Sequence, residues 1–375
     1  MKHASTVPAT RTHSLQTIGI DVGDRRSHAC VVDGSREIVE EFSFETYSMA
    51  RCRHLLREPC QVILEVGPHS RWMQKCLSAL GHTVRVVDAR KIHLISRSMH
   101  KTDRRDARTL AQLGAGVPEV LGEIRHRTDQ AQADLTVLHT RDHLVRMRTA
   151  TILRVRGVLK SSGIQVPNKD TRAFHRHVVH LLPAALRDGL MPLIDELESL
   201  HDRIRALDKK IAAIATRYPM VPRLTAITGV GTLTGLAYVL CLDDPRRFKK
   251  SRDVGPYIGL TPAKHASGQK DPQLSITRSG NSFLRRLLVQ SGHYVLGPFG
   301  PPCLLRSHGQ RIVERGGKYA RKRAVVAVAR KLAVLMHRLW LNETPYDPWY
   351  RSKDGPPPNE TKTNKVSRKT SAATN

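Results

Sequence analysis

The residues with the clearest chemical potential are acids that stand where a cationic chain has least reason to put them. Asp21 lies within a run in which Ile18, Ile20 and Val22 fall on one face of an extended segment, leaving its carboxylate on the other. An acid there runs against strand propensity and is costly if buried without a partner. Glu65 interrupts a second apolar strand, Val-Ile-Leu-Glu-Val, in the same manner. Asp103 and Asp106 are spaced i, i+3 at the start of a helical segment, which sets both carboxylates on one face. Carboxylates that converge repel one another unless a cation lies between them. A hard, oxygen-liganded divalent ion, Mg²⁺ or Mn²⁺, with a substrate phosphate completing its shell, answers that need. Singly, each acid has a plainer explanation. Asp103 and Asp106 suit the first turn of a helix capped by Thr102; Asp21 could end a hairpin, and Glu65 could pair with an arginine.

The elements that must position these acids follow from periodicity. Strands are expected at Thr17–Val22, His28–Asp33 and Ile38–Phe44, joined by short Gly- and Asp-containing links suited to antiparallel hairpins. A helix is expected over Met49–Arg57, a strand over Val62–Val66 closed by Gly67-Pro68, a helix over Arg71–Leu80, and a strand over Thr83–Val87. Helices follow from about Asp103. The order β-β-β-α-β-α-β describes an α/β domain with three leading antiparallel strands, and not a doubly wound nucleotide fold. Residues 130–215 are helical in pattern and poor in strands. Leu190, Leu193, Leu197, Leu200, Ile204, Leu207, Ile211 and Ile214 form a heptad seam, which suits a coiled-coil or helical-hairpin arm used in assembly, or an amphipathic helix packed within one subunit. From Leu224 a further helical unit begins, with a Gly229-Val230-Gly231 loop able to present backbone N–H groups to a phosphate. Helices are expected again over Asn281–Leu296 and Arg321–Leu341.

Composition narrows the class. The chain has 375 residues, with 62 Lys and Arg against 33 Asp and Glu, a net charge of +29. Such an excess points to a polyanion, and with no run of 18 apolar residues a membrane span is not expected. Six scattered cysteines without a CxxC pair argue against zinc ribbons and a disulfide scaffold, and for a reduced cytoplasmic protein. Aromatic residues at 5% make base stacking an unexpected main device of recognition.

The segments Thr17–Asp33 (TIGIDVGDRRSHACVVD), Leu64–Gly67 (LEVG) and Lys101–Leu113 (KTDRRDARTLAQL) resemble the N-terminal ribonuclease-H-like domain of the DEDD-type insertion-sequence transposases. Those enzymes carry a RuvC-like catalytic core and are the family of bridge-RNA-guided recombinases. The matching positions are Asp21, Glu65, Asp103 and Asp106. Asp24 departs from the family pattern, which usually has a basic residue there. The second half of the resemblance lies in Arg247–Leu288: Arg247-Phe248, Gly259-Leu260-Thr261-Pro262, Ser267-Gly268, Gly280-Asn281 and Leu284-Arg285, with Arg321–Met336 resembling the domain's closing helix. The match covers roughly residues 16 to 345.

The resemblance implies that Ser267 is a nucleophile, forming a covalent 5′-phosphoserine intermediate on DNA. From spacing alone a Ser-Gly pair is ordinary turn chemistry, and a serine hydroxyl needs activation by a base or a metal. Ser275 and Ser279 are reserves in the same segment; His265 is read as a loop histidine. Acids and serine lie far apart in sequence, so a composite site is expected, within one chain or between copies. Basic residues flank both segments: Lys101, Arg104, Arg105 and Arg108 around the Asp pair, Arg247, Lys249 and Lys250 before the serine, and Arg285, Arg286, Arg321 and Lys322 after it. They are expected to contact phosphates with strong salt dependence.

The expected organisation is a tail over 1–15, a RuvC-like domain over 16–125, a helical arm over 126–220, a serine-bearing transposase domain over 221–345 and a basic tail over 346–375. The expected function is a DNA transposase and recombinase acting on donor and target DNA. The resemblance further implies a structured guide RNA; the helical arm suits a homo-oligomer (dimer or tetramer), and a prokaryotic cytoplasm with association to the nucleoid through DNA is expected. Two rival readings exist: a metal-dependent nuclease or junction resolvase that uses water, and a non-catalytic nucleic-acid-binding protein.

Overall fold

A computed structural model describes residues 16–48, 58–88, 102–118, 121–167, 171–263 and 274–350. The helix expected over Met49–Arg57 lies outside the described residues. The chain divides into two compact units between His126 and Arg127.

The first unit is built on a five-stranded mixed sheet in the order β3-β2-β1-β4-β5. Its strands are β1 (Thr17–Asp21), β2 (Arg26–Val32), β3 (Ile38–Glu45), β4 (Gln61–Glu65) and β5 (Thr83–Val87). β1, β2 and β3 pair antiparallel, while β4 joins β1, and β5 joins β4, in parallel. A mixed sheet of this kind is consistent with the ribonuclease-H-like class expected above. Helix α1 (Ser70–Ala79) covers one face, where Met73 and Leu77 close over Ile18, Ile20, Phe42, Val62, Leu64 and Val86. Helix α2 (Asp103–Gly116) covers the other face with Ala107, Leu110 and Ala111, packed on Cys30, Val32, Ile63 and Val87. Burying apolar surface on both faces explains why β4 carries the continuous apolar run Val62–Leu64.

Among the described residues, the second unit is helical apart from one short ladder. Its helices are α3 (Asp129–Ser161), α4 (Phe174–Val179), α5 (Ala184–Ala215), α6 (Met220–Thr225), α7 (Thr232–Leu242), α8 (Val254–Ile258), α9 (Ser282–Leu296), α10 (Leu304–Glu314) and α11 (Ala320–Asn342). α3 and α5 run side by side. Leu190 and Leu197 of the heptad seam, with Ile194 between them, pack against Ile152, Val155 and Leu159, so this stretch of the seam is filled within the chain as a helical hairpin. Further along, Ile211 and Ala215 join the main core with Ala131, Leu135 and Leu138 of α3. That core centres on α7, every residue of which from Thr234 to Leu242 is buried, and on α11 through Val328, Leu332 and Met336. Asp134, only 4% exposed, is held between Arg217 Nη2 at 2.5 Å and the Tyr218 hydroxyl at 2.6 Å, which fastens α3 to the end of α5. Among the described residues, no helix is long and apolar enough to cross a membrane.

Candidate active site

In the first unit Asp21 and Glu65 close strands β1 and β4. Gly19 of β1 pairs with Ile63 of β4, and Ile20 with Leu64, so one further step sets Asp21 beside Glu65. Residues 17, 19 and 21 of β1, and 61, 63 and 65 of β4, share a face by strand alternation. That face is the one α2 covers. Gly19 is what allows the helix so close: a Cβ there would lie 2.2 Å from the Ala107 carbonyl oxygen and 2.3 Å from the Ala111 nitrogen. Further along, Gly114 lies over Ile63 and Thr17. The helix therefore runs antiparallel to β1, and its first turn, with Asp103 and Asp106, arrives at the end where β1 delivers Asp21. Thr102 caps that turn by accepting from the Arg105 N–H at 3.3 Å.

Within this arrangement the acids differ. Asp106 is buried at 3% exposure, Asp21 and Glu65 are half-buried, and the Asp103 side chain is 70% exposed. Among the described residues, no three His, Cys, Asp or Glu side chains stand close enough to hold a metal ion. The donor set is all carboxylate oxygen, which fits a hard divalent cation; the four acids share one end of the sheet without forming a closed cage.

His28 is a residue that sequence reasoning passed over. It is the register partner of Asp21 on β2, its Nε2 lies 3.9 Å from Asp103 Oδ2, and its Nδ1 is buried without a hydrogen-bond partner. Only the register of the β1–β2 pair, which the sequence does not state, could have drawn attention to it. Asp24 stands apart from the acid face: its side chain is 91% exposed and accepts from His69 Nε2 at 2.9 Å.

In the second unit the described residues frame the serine segment. Ala263 N–H donates to Ser275 O and Thr277 N–H to Thr261 O, both at 2.9 Å, with Pro262 and Ile276 paired antiparallel. Ser267 and His265 fall in sequence between these two arms, outside the described residues, as Lys101 falls outside those of the first unit. The base of the ladder is locked by two glycines, both with positive φ. A Cβ on Gly259 would meet Ser279 O at 2.3 Å, and one on Gly280 would meet Tyr257 O at 1.9 Å. Arg285 Nη1 donates to Ile258 O and Ser279 O, each at 2.8 Å, across the same junction, and Asn281 caps α9 through Leu284 N–H. The Gly-Leu-x-Pro, Gly-Asn and Leu-Arg segments thus form one clasp. Ser275 and Ser279 are both exposed; the Ser279 hydroxyl lies 3.1 Å from Thr277 Oγ1.

The basic residues divide into two groups. Arg108 holds Glu41 through two N–H donors, one at 2.6 Å, and this pairing lowers the Glu41 carboxyl from its usual range. Arg286 donates to Asp142 Oδ1 at 2.5 Å. Arg247 lies over the Tyr257 and Phe248 rings at 5.2 and 5.7 Å. Burial lowers the Arg285 guanidinium from its usual value, with the charge of Arg278 adding to the effect. These four have internal partners. Arg104, Arg105, Lys249, Lys250, Arg321 and Lys322 are exposed, with Lys322 also resting 5.2 Å above the Tyr319 ring.

Comparison with known proteins decides the family. A family model described as transposase, of the DEDD type found in IS110, matches residues 18–164, and a second, described as transposase of the IS116/IS110/IS902 family, matches residues 221–299. The chain belongs to the IS110 family of insertion-sequence transposases. It is 27% identical to a probable family 20 transposase of Pseudomonas aeruginosa, over 89% of this chain and 99% of that protein. It is 25% identical to the transposase for insertion sequence element IS1111A of Coxiella burnetii, over 92% and 96% of the two chains. A transposase for IS1328 of Yersinia enterocolitica is 28% identical over 74% of this chain. Membership makes the protein an enzyme of DNA transposition with DNA as its substrate. The first model spans the strand ends and α2 with all four acids, and the second spans the clasp and Ser267.

Proposed function

We propose that this transposase cuts and rejoins DNA through a serine nucleophile, Ser267, acting with Asp21, Glu65, Asp103 and Asp106 on one phosphodiester. The observation that carries the reading is the gathering of the acids on one face at one end of the sheet, by strand register and by the close approach that Gly19 permits. A divalent ion of the Mg²⁺ or Mn²⁺ class, held by these carboxylates, would neutralise charge developing on the phosphate. The Ser267 oxygen forms a bond to phosphorus as the bond to the 3′ oxygen breaks. The serine proton passes to a solvent base, and the departing 3′ oxygen takes one up. The 5′-phosphoserine keeps the bond energy, so a 3′-hydroxyl attacking in the reverse sense rejoins a strand without ATP. The clasp of Gly259, Gly280 and Arg285 positions the two arms that bracket the serine segment. Ser275 and Ser279 remain the alternatives on the nearer arm.

The exposed Arg104, Arg105, Lys249, Lys250, Arg321 and Lys322 hold the DNA backbone in this reading, and a structured guide RNA supplies the choice of sequence. A homo-oligomer, dimer or tetramer, brings donor and target together. Asp21→Ala and Glu65→Ala are expected to lose strand exchange by at least a hundredfold while keeping DNA binding within a few-fold. Exchange assays beside filter binding make the comparison; unchanged exchange in both variants contradicts the carboxylate site. Sequencing the RNA that copurifies with the chain tests guidance: one recurrent structured species supports it, and bulk cellular RNA alone contradicts it.

A further inference from the structure

A ring cluster at the acid end of the sheet has no part in the reading above. Tyr47 stands two residues beyond the end of β3 and is 68% exposed. Its ring is held from two sides, by Trp72 at 5.4 Å with the planes tilted 43°, and by the edge of His69 at 5.6 Å and 90°. The backbone beneath it is pinned. Thr46 N–H donates to Arg25 O at 2.9 Å, and the Thr46 hydroxyl donates to Gly23 O at 2.7 Å. His69 in turn donates to Asp24, and the Tyr47 hydroxyl lies 3.4 Å from its other ring nitrogen. The cluster is therefore tied to the loops that follow the two acid-bearing strands. Asp24 comes three residues after Asp21 and His69 four after Glu65. That chain spans at most roughly 14 Å, the reach of a few nucleotides stacked at about 3.4 Å each.

We propose that the Tyr47–His69–Trp72 cluster is a stacking platform for an unpaired base of the substrate DNA, beside the phosphate that reacts. An aromatic ring already fixed by two neighbours loses little freedom when a base lies on its open face. Stacking tolerates any base, which suits a protein whose exposed charges contact phosphates and not base edges. Arg25, exposed and joined through its carbonyl to the Thr46 N–H, supplies positive charge for the backbone of the same strand. The position of the reacting phosphate rests on the carboxylate site proposed above.

The probe is a single-stranded DNA carrying 5-iodouracil, irradiated with the full chain in EDTA, followed by peptide mapping and affinity measurement. The variants are Tyr47→Phe, Tyr47→Leu, Tyr47→Ala and Glu65→Ala. Crosslinks are expected on Tyr47, His69 or Trp72 in wild type, Tyr47→Phe and Glu65→Ala. Tyr47→Leu, which keeps apolar bulk without the ring, and Tyr47→Ala should lose them and bind the single strand roughly tenfold more weakly, with duplex affinity within twofold. Crosslinks that map elsewhere overturn the proposal. So do crosslinks with an RNA strand but none with DNA, wild-type affinity in Tyr47→Leu, or a change of oligomeric state in that variant, which would mark a protein interface. Strand exchange surviving in Glu65→Ala would instead sink the carboxylate site and leave the platform standing.

Discussion

Arginines in a chain of +29 invite a phosphate role for each of them, and the side-chain partners show why that generalisation fails. Arg285 spends its donors on Ile258 O and Ser279 O, whereas Lys250 is exposed in a short basic run. A cation that meets phosphate releases counterions, and its loss lowers the salt slope of DNA binding by about one. Lys250→Ala should therefore reduce that slope by about one. Arg285→Ala should leave the slope unchanged, destabilise the second unit by about 1–3 kcal/mol, and lower strand exchange. Fluorescence anisotropy titrations over a salt series, with thermal melts, separate the two; equal slopes in both variants would contradict the division. Arg108 and Arg286 belong with Arg285, through Glu41 and Asp142.

At the scale of elements, the acids share one end of the sheet because of a glycine. Gly19 lies under Ala107 and Ala111 with no room for a side chain, so α2 presses on β1 and brings Asp103 and Asp106 to the strand end. Gly19→Val should push the helix away, at a cost of about 1–3 kcal/mol or more. Strand exchange should fall further than the stability loss alone explains at a temperature where the variant is still folded. Circular dichroism melts paired with exchange assays check this; full exchange in a folded Gly19→Val protein would contradict it. The strands and α2 were legible because apolar alternation and the Thr102 cap are local signals. The sheet order, the register that sets His28 opposite Asp21, and the collision that makes Gly19 and Gly280 obligatory are contacts between distant segments. Periodicity carries no record of those. The heptad seam shows the same limit: its spacing states that a partner helix exists, and α3 of the same chain fills that place along Leu190–Leu197. The rings of Tyr47, His69 and Trp72 were hidden for a different reason, since a low aromatic content says nothing of where the few rings cluster.

For the whole molecule, the family models cover the acid-bearing strands and the clasp separately, and the proposed reaction requires both to act on one phosphate. A water-using nuclease would need the acids and no serine. A binding protein would need neither. The two chemistries part at a single covalent bond. Incubating the full chain with Mg²⁺ and a nicked DNA whose cleaved strand can diffuse away should trap protein on the 5′ phosphate. Mass mapping of the digested adduct should then find phosphoserine at Ser267, and Ser267→Ala should give no adduct and no exchange while still binding DNA. DNA cleavage that continues in Ser267→Ala without any protein–DNA adduct would contradict the account.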